Sequence, residues 1–335
     1  MHPPRSILII KPGSMGDVIH ALPVASALHS AWPEAQITWI VDPRWRAILE
    51  GNPAIHRIHD FPRQEFRGGA GWIRALRWYS DLRGLKADLV IDLQGLLRSG
   101  LMGRFTGSGD IVGLSDAREG ARYLYSRIVR INSDQHAVER YFSCLAALGI
   151  DDRGEKRFPI RTKKNDVKNF SAGRYIVFHP FSRGSGKELS GDATREIIAV
   201  FANKANCKIV LVGNGAVEGD VEGMVENLAG RTTLSELIEV VAGAEFVVST
   251  DSGPMHLAAA LGVPVLGIHT WSDPRRVGPY GRETWIWQGG VIRRQDLAKE
   301  PLPVREFGLG DAQAVGEFAA AQVGGVGEAG PVSEG

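Results

Sequence analysis

A glycine-containing loop with one carboxylate follows the first apolar run of the chain. Residues 11–17 read KPGSMGD, and Asp17 begins a stretch with helical spacing of apolar residues. Glycines at such a turn allow backbone N–H groups to approach a ligand closely. A carboxylate there can accept the proton of an attacking hydroxyl group. The alternative is a tight turn in which Asp17 only caps the helix, and the local sequence favours neither interpretation.

A second motif indicates a site for a diphosphate. Residues 249–257 read STDSGPMHL and open an alanine-rich helix that ends at Gly262. The free N–H groups and the positive dipole end of a helix N-terminus suit a diphosphate, to which Ser252 and His256 could donate hydrogen bonds. Helix capping would account for the serine and the proline alone. It does not explain a histidine in the first turn, close to Asp251.

A third loop, residues 178–187, reads FHPFSRGSGK and follows the first apolar run of the second half. Backbone amides, the hydroxyls of Ser182 and Ser185, and the cations Arg183 and Lys187 together would form a phosphate cradle. A solvated surface loop is an equally good interpretation of this segment taken alone.

Arginine is concentrated in one part of the first half. Residues 61–130 hold twelve Arg and Lys against seven Asp and Glu. The arginines include Arg63, Arg67, Arg98, Arg104, Arg118 and Arg122. Guanidinium groups bind carboxylates and phosphates in a bidentate manner. Such a run is usually only a solvated face, but here it lies in the half opposite the diphosphate motifs, where an anionic acceptor would bind.

Alternating strands and helices are predicted to position these residues. Buried strands are expected at residues 6–11, 36–41, 87–92, 175–179, 208–212, 246–249 and 264–268, and a helix at 17–30. Alternation of this kind predicts parallel sheets covered by helices on both faces. The fold class is therefore α/β, and ligands are expected at the carboxyl ends of the strands.

The pattern restarts near residue 160, which predicts two Rossmann-like domains, 1–160 and 161–323, facing each other across a cleft. The charged stretch 151–166 carries Pro159 and few apolar residues that could anchor it, so it is expected to be a linker. The Gly-rich residues 324–335 predict a flexible tail.

The composition is that of a globular protein and excludes several functions. The chain has 335 residues, of which 44% are hydrophobic, and its net charge of +1 argues against nucleic-acid binding. Cys144 and Cys207 are far apart, which suits a reducing compartment. No Asp-x-Asp motif or zinc spacing is present, so we expect no metal. The N-terminal apolar run is too short for a signal peptide or membrane span, and the expected location is the cytoplasm.

Several motifs, in the same order along nearly the whole chain, resemble the ADP-heptose:lipopolysaccharide heptosyltransferases of glycosyltransferase family 9. They are residues 9–23 (IIKPGSMGDVIHALP), 91–99 (IDLQGLLRS), 251–260 (DSGPMHLAAA), 273–276 (DPRR) and 278–281 (GPYG). Residues 117–119 (ARE) and 136–140 (HAVER) are similar to heptosyltransferase I, which adds the first heptose. The resemblance implies the two-domain GT-B fold, with acceptor bound by the first domain and nucleotide sugar by the second.

The resemblance also implies roles for individual residues. Asp17 and Lys187 would be catalytic. The donor site would comprise Ser182, Lys187, Thr232, Asp251, Ser252, Gly253 and His256. The acceptor site would comprise Gly13, Ser14, Arg63, Arg67, Arg118 and Arg140. No cofactor and no metal is implied.

The activity implied is an inverting, metal-independent transfer of heptose from ADP-L-glycero-D-manno-heptose to the Kdo–lipid A inner core. The enzyme would then touch the inner face of the cytoplasmic membrane transiently. The sequence departs from the family pattern at residues 187–190 (KELS) and 269–272 (HTWS), which leaves another nucleotide sugar or acceptor open.

Two other classes of protein share features with this sequence. A NAD-dependent oxidoreductase also has Rossmann domains, but GxGxxG is missing after either first strand. A two-domain sugar-binding protein would usually be exported, and no signal peptide is recognisable.

Overall fold

The computed structural model describes residues 3–151, 153–163, 170, 173–182, 188–215, 225–300 and 302–324. The chain divides into two compact units, Met1–Arg161 and Thr162–Gly335. Each unit contains a largely parallel sheet with helices between its strands. The predicted α/β class with two Rossmann-like units is confirmed, whereas the cleft expected between them stays a prediction.

The first unit is built on one parallel sheet. In the described residues its strands are β1 (Ser6–Ile10), β2 (Gln36–Val41), β3 (Arg57–Asp60), β4 (Leu89–Asp92), β5 (Ile111–Leu114) and β6 (Arg127–Val129). The spatial order is β3-β2-β1-β4-β5-β6. β1 and β4 are mostly apolar and nearly every side chain in them is buried, as expected for strands covered on both faces. Because β1 pairs with β2 on one side and β4 on the other, the topological switch point lies between β1 and β4.

Four α-helices of this unit lie within the described ranges. They are α1 (Met15–Ala31), α2 (Gly71–Asp81), α3 (Leu97–Phe105) and α4 (Ala137–Phe142). Short 3-10 helices, at Pro43–Ile48, Arg63–Phe66, Leu82–Leu85, Ala121–Leu124 and Ser143–Leu148, complete the connections. α1 begins directly after the loop that leaves β1, so the first turn of α1 lies at the switch point.

The second unit repeats the plan with one antiparallel edge. Its described strands are β7 (Tyr175–His179), β8 (Lys208–Leu211), β9 (Val225–Asn227), β10 (Phe246–Thr250), β11 (Val265–Ile268), β12 (Thr284–Gln288) and β13 (Val291–Arg294). The order is β13-β12-β11-β10-β7-β8-β9, and β12 and β13 pair antiparallel. The helices are α5 (Gly191–Lys204), α6 (Leu234–Ala242), α7 (Gly253–Leu261), α8 (Pro274–Val277) and α9 (Leu309–Gly324).

The core of the second unit lies between its sheet and the pair α5 and α9. Phe201 of α5, Val315 of α9 and Phe246 of β10 are all fully buried there. The switch point of this sheet lies between β7 and β10. The loops after these two strands therefore form the place where a ligand is expected.

The segment predicted to be a linker contacts the first unit before residue 162, and Lys163 donates its backbone N–H to Glu239 Oε1 of the second unit at 2.7 Å. Asn52 Nδ2 donates a hydrogen bond to the Pro159 carbonyl at 3.1 Å, and Lys156 pairs with Glu139 at 3.3 Å. Polar contacts hold the described part of this segment in place of the apolar contacts that it lacks, and the boundary between the two units falls within it. At the other end, α9 includes Gly324, and residues 325–335 of the predicted tail lie outside the described residues.

Candidate active site

Asp17 lies in the first turn of α1 and is held by three neighbours. Tyr141 donates its hydroxyl hydrogen to Oδ1 at 2.9 Å. Ser14 donates to Oδ2 from its backbone N–H at 2.8 Å and from its hydroxyl at 2.9 Å. Lys11 Nζ lies 3.6 Å from Oδ1. The carboxylate thus caps the helix together with Ser14, and both of its oxygens are oriented.

These contacts keep the carboxyl group ionised. Burial alone would raise the pKa of Asp17, but the Lys11 charge and the hydrogen bonds from Ser14 and Tyr141 outweigh it and leave the pKa below its ordinary value. The side chain is nevertheless 37% exposed. Asp17 therefore combines the two properties of a general base: a charged form at neutral pH and an open side.

Lys11 is a buried lysine at the switch point that the sequence analysis did not assign to the site. Its Nζ donates to the Leu93 carbonyl at 2.9 Å and to the Tyr141 hydroxyl at 2.8 Å. Burial lowers the pKa of Lys11, and Asp17 and Asp92 oppose that effect. A lysine immediately after the four apolar residues that end β1 was a sequence signal for this role. Tyr141 had no such signal, because only the fold brings it to Asp17.

Asp92 fixes the loop that presents the Leu93 carbonyl. This fully buried carboxylate at the end of β4 accepts hydrogen bonds from Gln94 N at 2.9 Å, Gly95 N at 3.1 Å, Ser99 Oγ at 2.8 Å and Tyr125 Oη at 2.7 Å. Burial raises its pKa despite these four bonds. The Asp92 network is structural: it positions the acceptor of the Lys11 ammonium group.

The predicted acceptor residues are distributed unequally around this cluster. Ser14 contacts Asp17 directly. Arg140 is mostly covered, pairs with Asp116 at 3.1 Å, and adds to the lowering of the Lys11 pKa that burial causes. Packing explains why residue 13 is a glycine, because a Cβ atom at Gly13 would lie only 2.8 Å from Trp45 Nε1.

The remaining three arginines of the predicted acceptor site are exposed. Arg118 donates its backbone N–H to the Gly95 carbonyl at 2.8 Å, so it borders the loop after β4. Arg63 lies near Asp42. Burial would raise the pKa of Asp42, but Arg44 and, less strongly, Arg63 outweigh burial and leave that pKa below its ordinary value. Arg67 follows the short helix Arg63–Phe66.

The predicted donor motif forms a compact group at the start of α7. Ser252 occupies the N-cap position and Gly253 begins the helix. The Ser252 hydroxyl makes no capping hydrogen bond with the described residues, so helix capping does not explain why a serine stands at this position. Buried His256 lies with Nε2 3.9 Å from Asp251 Oδ1. The motif therefore presents a hydroxyl group, a paired histidine and a helix N-terminus at one edge of the sheet.

Two further buried histidines lie at the same edge. His179 ends β7 and His269 follows β11. Burial lowers the pKa of each to about 4, so both are neutral at pH 7. His269 Nδ1 lies 2.8 Å from Ser272 Oγ, and its Nε2 has no hydrogen-bond partner among the residues described. The charges of Asp251 and His256 both influence the pKa of His269, so His269 adjoins the donor motif.

The phosphate loop is described only at its two ends. Thr250 Oγ1 donates to the Phe181 carbonyl at 2.6 Å, which ties the start of the loop to the end of β10, and Ser182 follows half-buried. Leu189 N donates to the Pro180 carbonyl at 3.0 Å. Lys187, Arg183 and Ser185 lie outside the described residues.

Thr232 is half-buried and precedes the N-cap of α6. The N-cap is Thr233, whose hydroxyl donates to Glu236 Oε2 at 2.8 Å and accepts from the Glu236 N–H at 3.3 Å. This reciprocal arrangement gives Thr233 a structural role and leaves Thr232 as the threonine that is not used in the cap.

Two Rossmann-like units with polar residues at each switch point are the architecture of GT-B glycosyltransferases, and the comparisons with known proteins assign the chain to that class. The structure of E. coli heptosyltransferase WaaC with ADP matches with a TM-score of 0.76 at 27% identity, covering 95% of this chain and 99% of WaaC. The family model of glycosyltransferase family 9 (heptosyltransferase) matches residues 75–299, and the chain belongs to this family.

Relatives with similar sequences are also named heptosyltransferases. Lipopolysaccharide heptosyltransferase 1 of Pseudomonas aeruginosa is 31% identical over 291 residues, which cover 82% of this chain and 81% of the relative. The enzyme of the same name from Escherichia coli K12 is 29% identical over 297 residues, which cover 84% of this chain and 92% of the relative. The predicted resemblance is confirmed, and the chain is a glycosyltransferase rather than an oxidoreductase or a binding protein.

A membrane-crossing helix would have to be long and apolar, and the described part of the chain holds none of that kind.

Proposed function

We propose that this enzyme transfers the first heptose, from ADP-L-glycero-D-manno-heptose to Kdo–lipid A, with inversion and without a metal ion. The single observation that carries the proposal is the oriented, ionised and partly exposed carboxylate of Asp17 at the switch point of the first unit. The relatives at 29–31% identity are named heptosyltransferase 1, and WaaC was solved with ADP-2-deoxy-2-fluoro heptose, which supports the choice of donor.

Asp17 acts as the general base. The acceptor hydroxyl oxygen attacks the anomeric carbon, its proton passes to an Asp17 oxygen, and the anomeric C–O bond breaks with its electron pair leaving on ADP. Attack opposite the leaving group inverts the anomeric configuration. A carboxylate of lowered pKa suffices, because the hydroxyl becomes strongly acidic only as its oxygen bonds to carbon. Lys11, Ser14 and Tyr141 hold the carboxylate in place.

The second unit binds the nucleotide sugar. The diphosphate would lie at the N-terminus of α7, where Ser252, Gly253 and His256 provide a hydroxyl group, N–H groups and an imidazole. Lys187 and Ser182 would contact it from the phosphate loop, and Thr232 would lie near the adenosine. Preorganised N–H groups and cations stabilise the charge that develops on the leaving diphosphate, so neither a metal nor a cofactor is needed.

The first unit binds the acceptor. Gly13 and Ser14 would border the reacting hydroxyl group, because Ser14 already contacts Asp17. Arg63, Arg67, Arg118 and Arg140 would bind the carboxylates and phosphates of Kdo–lipid A. An acceptor anchored in lipid places the reaction at the cytoplasmic face of the inner membrane, with the enzyme in the cytoplasm.

The test is transfer assayed with synthetic ADP-heptose and Kdo–lipid A in excess EDTA. We expect the acceptor to gain the mass of one heptose, with the opposite anomeric configuration by NMR, and Asp17→Asn to form product at least about a hundredfold more slowly. Loss of activity in EDTA would refute metal independence, and retained configuration would refute inversion. Faster transfer from a UDP-sugar or GDP-sugar would refute the proposed donor.

A further inference from the structure

One face of α2 exposes three large apolar side chains. Trp72, Ile73 and Leu76 are 62%, 45% and 56% exposed. Residues at positions i, i+1 and i+4 of an α-helix fall within an arc of about 100°, so these side chains form one continuous strip. Large apolar groups exposed next to one another, rather than singly, mark an interaction site.

Other side chains of α2 already provide the contacts that the fold needs: Trp78 lies on the face opposite the strip, and Tyr79 lies to one side of it. The rings of Trp78 and Phe61 pack with centroids 5.1 Å apart, and Trp78 Nε1 donates to the Asp60 carbonyl at 3.0 Å. Tyr79 donates its hydroxyl hydrogen to the Arg98 carbonyl at 3.0 Å. The outward strip therefore does not contribute to the core of the unit.

The exposed apolar surface extends beyond α2. Phe105, at the end of α3, is 40% exposed and packs against Tyr79 with ring centroids 5.3 Å apart. We name the exposed side chains of Trp72, Ile73, Leu76 and Phe105 the α2 surface.

Positive charge surrounds this surface. Between residues 63 and 83 the chain has five arginines and two acidic residues. Arg77 lies one turn after Ile73 and is exposed, as are Arg63 and Arg67. Arginine can cover apolar surroundings with its methylene stem while its guanidinium group reaches a phosphate. An apolar strip with tryptophan, bordered by arginine, is typical of helices that lie in the interface of an anionic bilayer.

We propose that the α2 surface docks this enzyme onto a bilayer that contains anionic lipids. A second copy of the chain is the poorer occupant, because a two-fold contact would place the same arginine-bordered surfaces against each other. The proposal deepens the proposed function, which uses a lipid-anchored acceptor, but it is tested without turnover.

The first experiment is sedimentation of the full chain with sucrose-loaded vesicles of phosphatidylethanolamine and phosphatidylglycerol. We expect wild-type protein to bind, with affinity that falls as salt rises. Trp72→Ser/Leu76→Ser should lower the partition coefficient about tenfold or more, since two large apolar groups no longer insert. The matched control is Leu297→Ser/Val304→Ser, which removes two similarly exposed apolar groups from the second unit and should bind as wild type.

The second experiment locates the contact. Lipids brominated in the acyl chain should quench tryptophan fluorescence of the wild type, and Trp72→Phe should lose most of this quenching while it still sediments with vesicles. Trp271→Phe removes another exposed tryptophan and should keep the quenching.

Folding of each variant is verified by circular dichroism and by calorimetric binding of ADP, which the α2 substitutions should leave unchanged. Failure of ADP to bind the wild type would count against the proposed donor site, not against docking. Equal vesicle binding by wild type and Trp72→Ser/Leu76→Ser, or no binding by either, would overturn the proposal. So would a wild-type dimer that the same double substitution dissociates in analytical ultracentrifugation.

Discussion

Tyr141 donates its hydroxyl hydrogen to Asp17 Oδ1 across 2.9 Å, although 124 residues separate the two in sequence. The same hydroxyl oxygen accepts a hydrogen bond from Lys11 Nζ at 2.8 Å. Burial and the neighbouring Asp17 carboxylate raise the pKa of Tyr141 well above its ordinary value, so it remains a donor throughout the working pH range. Tyr141 is therefore a positioning residue between the ammonium group and the proposed base.

Tyr141→Phe should test this relationship. The ring stays packed, but Asp17 loses a hydrogen-bond donor and Lys11 loses an acceptor. We expect kcat to fall roughly tenfold, with little change in ADP affinity, because one charge-assisted hydrogen bond is worth about 1.5–3 kcal/mol. Tyr175→Phe is the control, since its hydroxyl donates to the Val240 carbonyl in the second unit. Equal losses in the two variants would contradict the positioning role.

Asp17→Asn should nearly abolish transfer and spare donor binding. The amide keeps the size of the side chain but cannot accept the acceptor's proton, so we expect kcat to fall by about 10²–10⁴. Single-turnover assays and ADP titrations measure the two effects separately. Asp134→Asn, on an exposed loop, should retain full activity. Substantial turnover by Asp17→Asn would show that the base is elsewhere.

The pH dependence of turnover should report the environment of Asp17. The active form is the carboxylate, and because the pKa of Asp17 lies below the ordinary value, the acid limb of kcat/KM should lie at lower pH than an ordinary aspartate would give. Lys11→Met removes the buried charge at 3.6 Å while keeping the volume of the side chain. Burial would then be opposed only by the hydrogen bonds from Ser14 and Tyr141, so the acid limb should move to higher pH. An unchanged limb would show that Lys11 does not govern this carboxyl group.

ADP should bind without a metal ion. Calorimetric titration in EDTA and in magnesium should give the same dissociation constant, and His256→Ala and Lys187→Ala should each weaken binding about tenfold. Lys204→Ala removes a surface lysine that pairs with Glu317 at 3.2 Å, and it should bind ADP as wild type does. Binding that requires magnesium would contradict the proposed charge stabilisation.

Acid should destabilise the protein through its buried histidines. Unfolded histidine titrates near pH 6.5, whereas His269 remains neutral in the folded state down to about pH 4. The unfolded state therefore binds more protons throughout this window, and the free energy of unfolding falls as the pH is lowered from 6.5 to 4. The contribution of one such histidine is roughly 3 kcal/mol.

His269→Gln removes that titration and serves as the matched variant. Urea unfolding at pH 7 and pH 4.5 should show a smaller loss of stability for His269→Gln than for wild type. The difference between the two proteins isolates His269 from the carboxylates, which both share. Parallel losses would mean that His269 does not carry this pH dependence.

Much of the fold was predictable because its signals are local. The apolar runs of β2 and β7 ended at the predicted residues, since strands buried on both faces read as uninterrupted hydrophobic segments. The strand predicted at residues 87–92 begins later, at Leu89, because strand ends depend on which neighbour offers a hydrogen bond.

The sequence by itself determined the α/β class, the two Rossmann-like units and the motifs that contain Asp17, Asp251 and His256, because each depends on residues close together along the chain. Only the tertiary structure decided that Lys11 and Tyr141 surround the Asp17 carboxylate, and that His269 lies beside the donor motif. Those contacts arise where separate strands end at one edge of a parallel sheet. The position of that edge follows from strand order, which no local pattern of residues encodes.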